Sequence, residues 1–242
     1  MDLAGRVALV TGAGRRLGAA IALGLARAGC DVAVHHHASA DGAEATLAAV
    51  RAAGRRAERF PGDLRDAQYA RALPDRVVER FGRLDVVVNS AAVIAQAEFA
   101  DISADAWEDT LALNLSAAFF VSQGAAPHLR ARRGKIVNLA DVAAFEVWPS
   151  YLPLNVSKAG MVMLTHGLAR VLAPEVTVNA VAPGAILPPD DWPASAREHL
   201  IATTPLRRLG APADVVAAVL YFLQNDYVTG VVLPVDGGRL VR

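Results

Sequence analysis

A tyrosine and a lysine stand seven residues apart in PSYLPLNVSKAG, the stretch from Pro149 to Gly160. A phenol and an ammonium are the side chains of proton donation. On a helix, Tyr151 and Lys158 are two turns apart and can line one stripe without lying side by side. The residue one turn before Lys158 is Leu154, a hydrocarbon with no proton to give. Tyr151 does not simply take that place, because three residues along a helix rotate a side chain by about 300° and displace it by ~4.5 Å.

A second set of chemically suggestive residues lies near the start. The turn TGAGRRLG, Thr11 to Gly18, follows an apolar run and opens a helical one. Glycines at a strand-to-helix turn let backbone amides approach a pyrophosphate at the positive end of the helix. Cofactor choice then turns on the end of the second strand, where an acid would hold the ribose 2′-hydroxyl of NAD and repel a 2′-phosphate. That place reads HHHAS, no acid follows until Asp41, and Arg15, His37 and Ser39 can donate hydrogen bonds. A charge-assisted bond from Arg15 to phosphate is worth ~1.5 to 3 kcal/mol, so NADPH is the expected cofactor. The three histidines occupy consecutive strand positions that face opposite ways, and no metal site is expected of them.

The elements that must position these residues are legible as alternation. Valine-rich runs recur at 6–11, 31–36, 83–89, 134–140, 175–182 and 230–235, with a shorter third strand ending near Asp63. Between them lie alanine- and leucine-rich segments with helical spacing, such as Leu17, Ile21, Leu25 and Ala28, or Trp107, Leu111, Leu115 and Ala118. The pattern is that of one Rossmann-type α/β domain over residues 1–242, a doubly wound parallel sheet of about seven strands with helices on both faces. Ligands of such sheets bind beyond the carboxyl ends of the strands.

Bulk properties remove other classes of function. Twenty-four basic residues balance twenty-four acidic ones, so no global field attracts nucleic acid or an anionic membrane. The chain is 54% hydrophobic, but alanine supplies much of that. No apolar run approaches the length of a membrane span, about 18 residues or more. The start, MDLAGRVALVTG, lacks the basic region and cleavage site of a signal peptide, which points to a cytoplasmic protein. The single cysteine, Cys30, excludes an internal disulfide and reads as packing.

Taken in order, Thr11-Gly12 to Gly18, Asp63, Asn89-Ser90-Ala91-Ala92, Asn114, Asp141, Lys158 and Pro183-Gly184 resemble the short-chain dehydrogenase/reductase family over essentially the whole chain. That family's pattern is TGxxxGxG, an NNAG-like segment, a helix asparagine, a serine followed by YxxxK, and a PG turn. Arg16 replaces the middle glycine, Asp141 the serine and Leu154 the tyrosine. The first two replacements, with VAPGAILPPDD and TPLRRLGAPADV, resemble the pteridine reductase branch; the third is foreign to it. The resemblance implies cofactor contacts from Gly12, Arg15, Arg16, Leu17, Gly18, His37, Ser39, Asp63, Leu64, Asn89, Ser90, Ala91, Lys158, Pro183, Gly184 and Ile186. It implies that Arg16 points at the cofactor phosphates and an electron-rich substrate ring, and that Tyr151 lines the substrate pocket. In the ordinary mechanism the tyrosine protonates the carbonyl oxygen, the lysine lowers its pKa and holds the nicotinamide ribose, and the asparagine serves a water relay. With Lys158 and Asn114 retained and the tyrosine gone, Asp141 is the one ionisable side chain at a matched catalytic position that can act as an acid. Its proximity to Lys158 favours the ionised form and burial opposes it.

Two functions stay open at this point. One is an NADPH-dependent reductase of a pteridine-like or other conjugated imine or carbonyl small molecule, using Asp141 and water. The other is a catalytically inactive dinucleotide-binding protein serving as a sensor or partner subunit. Residues 186–210, rich in proline, read as a lid over the substrate. A homotetramer is expected, because the family pairs its two long central helices across subunits; here these are 106–129 and 152–172, carrying Phe119, Phe120, Met161, Met163 and Leu164.

Overall fold

Strands buried on both faces need side chains that fit a pleat and carry no charge, and β-branched valine meets both demands. The computed structural model describes residues 1–188 and 192–241. It places strands at Val7–Val10 (β1), Asp31–His36 (β2), Ala57–Pro61 (β3), Val86–Asn89 (β4), Lys135–Leu139 (β5), Thr177–Pro183 (β6) and Val232–Val235 (β7). All pair in parallel, in the order β3-β2-β1-β4-β5-β6-β7. The order reverses between β1 and β4, where the crevice of a doubly wound sheet opens.

The helices are Arg16–Arg27 (α1), Ala40–Ala52 (α2), Ala67–Phe81 (α3), Ala104–Leu111 (α4), Ala117–Arg132 (α5), Leu152–Leu172 (α6), Ala194–Thr203 (α7) and Pro212–Gln224 (α8). The period of two along each strand divides the interior into two layers. Ala8, Val10, Val32 and Val34 pack with Ile21, Leu25, Leu47 and Phe222 of α1, α2 and α8. Val7, Leu9 and Val87 pack on the other face with Leu73, Val77, Val121 and Leu168 of α3, α5 and α6.

The helix expected over 106–129 is not continuous. A π-helical turn, Ala112–Ser116, separates α4 from α5 and places Asn114 in the interior with no exposure. Cys30 is buried and donates weakly to Leu3 O at 3.5 Å. Burial pushes its thiol pKa up to about 12, which makes it inert packing. Among the described residues no helix is long and apolar enough to cross a membrane, and no group of three or more potential metal-binding side chains occurs.

Candidate active site and cofactor cradle

The turn after β1 is built so that backbone, not side chains, faces the crevice. Gly12 has φ +65°, and a Cβ there would lie 2.8 Å from the Cα of Ala91. A Cβ on Gly18 would lie 2.3 Å from Gly12 O. The turn therefore tolerates only glycine at these places and exposes amides at the start of α1. Thr11 braces it: its Oγ1 accepts the N–H groups of Ser90 at 2.9 Å and Ala91 at 3.1 Å, joining the ends of β1 and β4. His35 braces the other side, accepting the Gly12 N–H on Nδ1 at 3.2 Å and donating from Nε2 to Gly62 O at 3.1 Å. Burial lowers its pKa to about 4, so it is a neutral structural imidazole.

The side chains expected to meet the adenosine end converge beyond β1, β2 and β3. Arg15 is exposed in extended backbone, Ser39 lies against Gly14, and His37 Nε2 is 3.9 Å from Asp63 Oδ2. Asp63 feels burial pushing its pKa up, but the backbone N–H and guanidinium of Arg65 together hold it below the ordinary value. Leu64 is buried beside it. His36, absent from the expected set, stands at the end of β2 where an acid would read the ribose. It is 4% exposed, and neither ring nitrogen has a hydrogen-bond partner. Such orphaned donors and acceptors are costly unless a ligand meets them. The glycine cradle and this orphaned ring fit a dinucleotide.

Arg16 has φ 52°, a left-handed backbone at the place where the family pattern carries glycine. Its guanidinium donates to Leu187 O, so it links the cradle to the segment after β6. In that segment Gly184 N donates to Val235 O at 3.0 Å, and Ile186 is buried.

At the chemical end, α6 carries Leu154 and Lys158 side by side, both buried. Leu154 is 1% exposed, and Lys158 Nζ donates to Leu139 O at 2.7 Å, at the end of β5. Asp141 opens the loop after β5 and accepts the Ala143 N–H at 2.9 Å. Burial pushes its carboxyl above the ordinary value, against that N–H and the charges of Lys158 and Arg239. Burial also pulls Lys158 below the ordinary lysine value, against the charge of Asp141. Of the two opposed tendencies at Asp141, burial dominates, and the carboxyl is raised above its ordinary value.

One expected placement needs correction. Tyr151 does not share a helical stripe with Lys158: it precedes α6, with φ −129° and ψ 32°, and its hydroxyl donates to Gln96 Oε1 at 3.2 Å. The side chain of Asn114 is committed to positioning. It accepts the Val93 N–H at 2.8 Å and donates to Val93 O at 2.9 Å and Ser157 Oγ at 3.3 Å. Asn89 likewise lies beneath the crevice, donating to Asn138 Oδ1 at 2.8 Å and Ser122 Oγ at 3.2 Å. A further positioning residue is Asn155, whose amide donates to Ala143 O at 2.7 Å and Glu146 O at 2.8 Å. The only sequence signal for it is an amide inside an otherwise apolar helix turn.

A family model described as enoyl-(acyl carrier protein) reductase matches residues 12–239. A 3-oxoacyl-(acyl-carrier-protein) reductase of Staphylococcus aureus is 37% identical over 238 residues, covering 96% of this chain and 96% of that protein. A solved short-chain dehydrogenase/reductase from Serratia marcescens superposes with a TM-score of 0.93 at 34% identity, over 99% of this chain and 100% of that one. A blue fluorescent protein from a metagenomic library, solved in complex with NADPH, gives 0.92 at 32% identity, over 99% of each chain. Likeness of this extent, on a sheet of this order with a glycine cradle at its reversal, makes the chain a member of the short-chain dehydrogenase/reductase family of NAD(P)-dependent oxidoreductases.

Proposed function

We propose that this protein is an NADPH-dependent reductase of a pteridine-like or other conjugated imine or carbonyl small molecule, in which Asp141 and water supply the proton that a tyrosine supplies elsewhere in the family. The observation that carries this reading is the half-buried Asp141 carboxyl, raised above its ordinary value, on the loop beside a helix that has the buried Leu154 one turn before Lys158. Reduced nicotinamide, when bound, supplies the hydride. The chain's own residues do the rest. Gly12, Gly18 and the amides between them receive the pyrophosphate, while Arg15, His36, His37 and Ser39 receive the 2′-phosphate. Lys158 holds the ribose, and Asp141 protonates the acceptor nitrogen or oxygen and regains its proton from water. Residues 186–210, including α7, cover the substrate; 189–191 of this lid lie outside the described residues.

General acid catalysis contributes about 10² to 10⁴ in rate. Turnover of a pterin panel and a generic diketone at saturating NADPH tests the reading. Asp141→Asn should reduce imine turnover by about that factor. Because the acid form is the active one, turnover of the natural protein should fall as pH rises through the raised carboxyl value. Leu154→Tyr should raise ketone reduction. A dinucleotide-binding protein without chemistry is favoured by one observation, that Leu154 and Lys158 are sealed from solvent. Tight NADPH binding with no turnover in the natural protein or in Leu154→Tyr would select that alternative.

A further inference from the structure

The turn after β7 touches both walls of the cleft, and its arginine binds the loop that follows β5. Arg239 donates from Nε to Glu146 Oε2 at 2.7 Å and from Nη2 to Glu146 Oε1 at 3.2 Å, a bidentate pair. Its guanidinium also lies 5.4 Å from the ring centre of Trp148. The arginine side chain is 12% exposed and the glutamate 25%, so the pair is largely shielded from water and salt. Glu146 belongs to the loop that Asp141 opens: its N–H donates to Val142 O at 2.9 Å, and Asn155 holds its carbonyl at 2.8 Å.

The same turn is fastened to the opposite wall. Asp236 accepts the Gly238 and Leu240 N–H groups, each at 2.8 Å, which fixes the turn's shape. Leu206 N donates to Gly237 O at 3.1 Å, and a Cβ on Gly237 would lie 2.7 Å from the Thr204 methyl. Thr204 and Leu206 belong to the segment between α7 and α8 at the base of the lid. One short turn thus spans the two segments between which a substrate would enter.

We propose that Arg239 is a positioning residue that locks the loop after β5 to the base of the lid and holds a fixed positive charge toward Asp141. The inference rests on the reading of Asp141 as the group that moves the proton. Among the described residues, the charges acting on Asp141 come from Lys158 of α6 and Arg239 of the turn, with Glu146 on its own loop; β6, also packed against that loop, carries no titratable side chain. Removing Arg239 takes away one of the two described cations acting on Asp141 and the bidentate pair with Glu146.

The test compares the natural protein with Arg239→Met and Arg239→Lys by amide hydrogen exchange, by carbon-13 titration of the Asp141 carboxyl, assigned against Asp141→Asn, and by calorimetric titration with NADPH. In Arg239→Met, exchange should rise about fivefold or more in both 141–151 and 204–209 and stay unchanged in β1 and β4. The Asp141 titration midpoint should move upward, and NADPH affinity should stay within about twofold, since the Arg239 side chain meets Glu146 and Trp148 and not the glycine turn of Thr11 to Gly18. Arg239→Lys should keep most of the midpoint and lose most of the exchange protection, because lysine retains charge without the fork. It also serves as the readout should Arg239→Met fail to fold. Exchange that rises in only one wall, or a midpoint that does not move in Arg239→Met, would overturn the proposal. If Asp141→Asn leaves turnover unchanged while both exchange and midpoint respond to Arg239, the catalytic reading of Asp141 fails and the coupling through Arg239 stands.

Discussion

Arg16 carries a long side chain on a left-handed backbone that favours none. That conformation costs a non-glycine residue about 1–2 kcal/mol. The bond from its exposed guanidinium to Leu187 O offsets only part of that, because water competes for both partners. Retention of an arginine there is best explained by a ligand that meets its charge. Arg16→Gly should therefore leave the melting temperature unchanged or raise it by a few degrees, while NADPH affinity falls about tenfold or more. Thermal denaturation and calorimetry on the same preparations check both halves, and a fold that collapses with glycine would sink the idea. Neighbouring His35 and His36 show how environment divides identical side chains. His35 is hydrogen-bonded on both nitrogens and inert, whereas His36 is buried with both unmatched. His36→Asp places a carboxylate where a 2′-phosphate is expected. It should abolish the expected preference for NADPH and favour NADH, read by titration with each dinucleotide.

The elements were legible where both faces of a strand are buried. DVAVHH coincides with β2, Asp31–His36, and the helix expected at 152–172 is α6 residue for residue, because unbroken apolar runs and helical spacing speak locally. The interruption at Ala112–Ser116 was not legible. It depends on Asn114 reaching Val93, a contact that no periodicity encodes. The same holds for Asn155 and for the displacement of Tyr151 from the helical stripe, both fixed by loops that return to α6. Asp85, which entered the sequence reading only as part of a strand, is another such tie. It is fully buried, accepts the Val7 N–H at 3.0 Å, and receives Arg83 through two bonds of 2.7 Å and Arg6 at 3.2 Å. Burial pushes its pKa up, but Arg83, the Val7 N–H and Arg6 together hold it below the ordinary carboxylate value. A depressed carboxylate adds stability that is present above the unfolded value and lost as pH falls through the folded one. Asp85→Asn should cost about 2–4 kcal/mol at neutral pH, and the difference from the natural protein should shrink below about pH 4. Denaturant melts at several pH values would show this; a constant difference across the acid range would remove the ionised carboxylate from the account.

The whole molecule buries two layers of side chains against one sheet, yet α5 and α6 keep apolar side chains outside both. Of the five residues expected to form a subunit contact, Met161 is buried inside the chain, and Phe120 and Leu164 pack partly against the interior. Phe119 and Met163 stay exposed, at 41% and 68%, and Val156 and Val171 join them on α6. An inward side chain at Met161 follows from its position one helical turn after Lys158 on the face that meets the sheet. The outward set is what a two-fold contact between α5 and α6 of neighbouring subunits would cover. Such a contact also bears on the cleft, because α6 carries Leu154, Asn155 and Lys158, and a helix clamped on its outer face holds these side chains more firmly. Light scattering at micromolar concentration should give a tetramer. The pair Phe119→Glu and Met163→Glu places two like charges on each side of the contact and should release smaller species, with the fold retained by circular dichroism. Turnover of the dissociated form should fall while NADPH binding to the cradle, built from β1 and α1 on the far side of β4, changes little. A natural protein that is monomeric, or a tetramer indifferent to both glutamates, would remove these helices from the interface and leave their exposed residues without a partner.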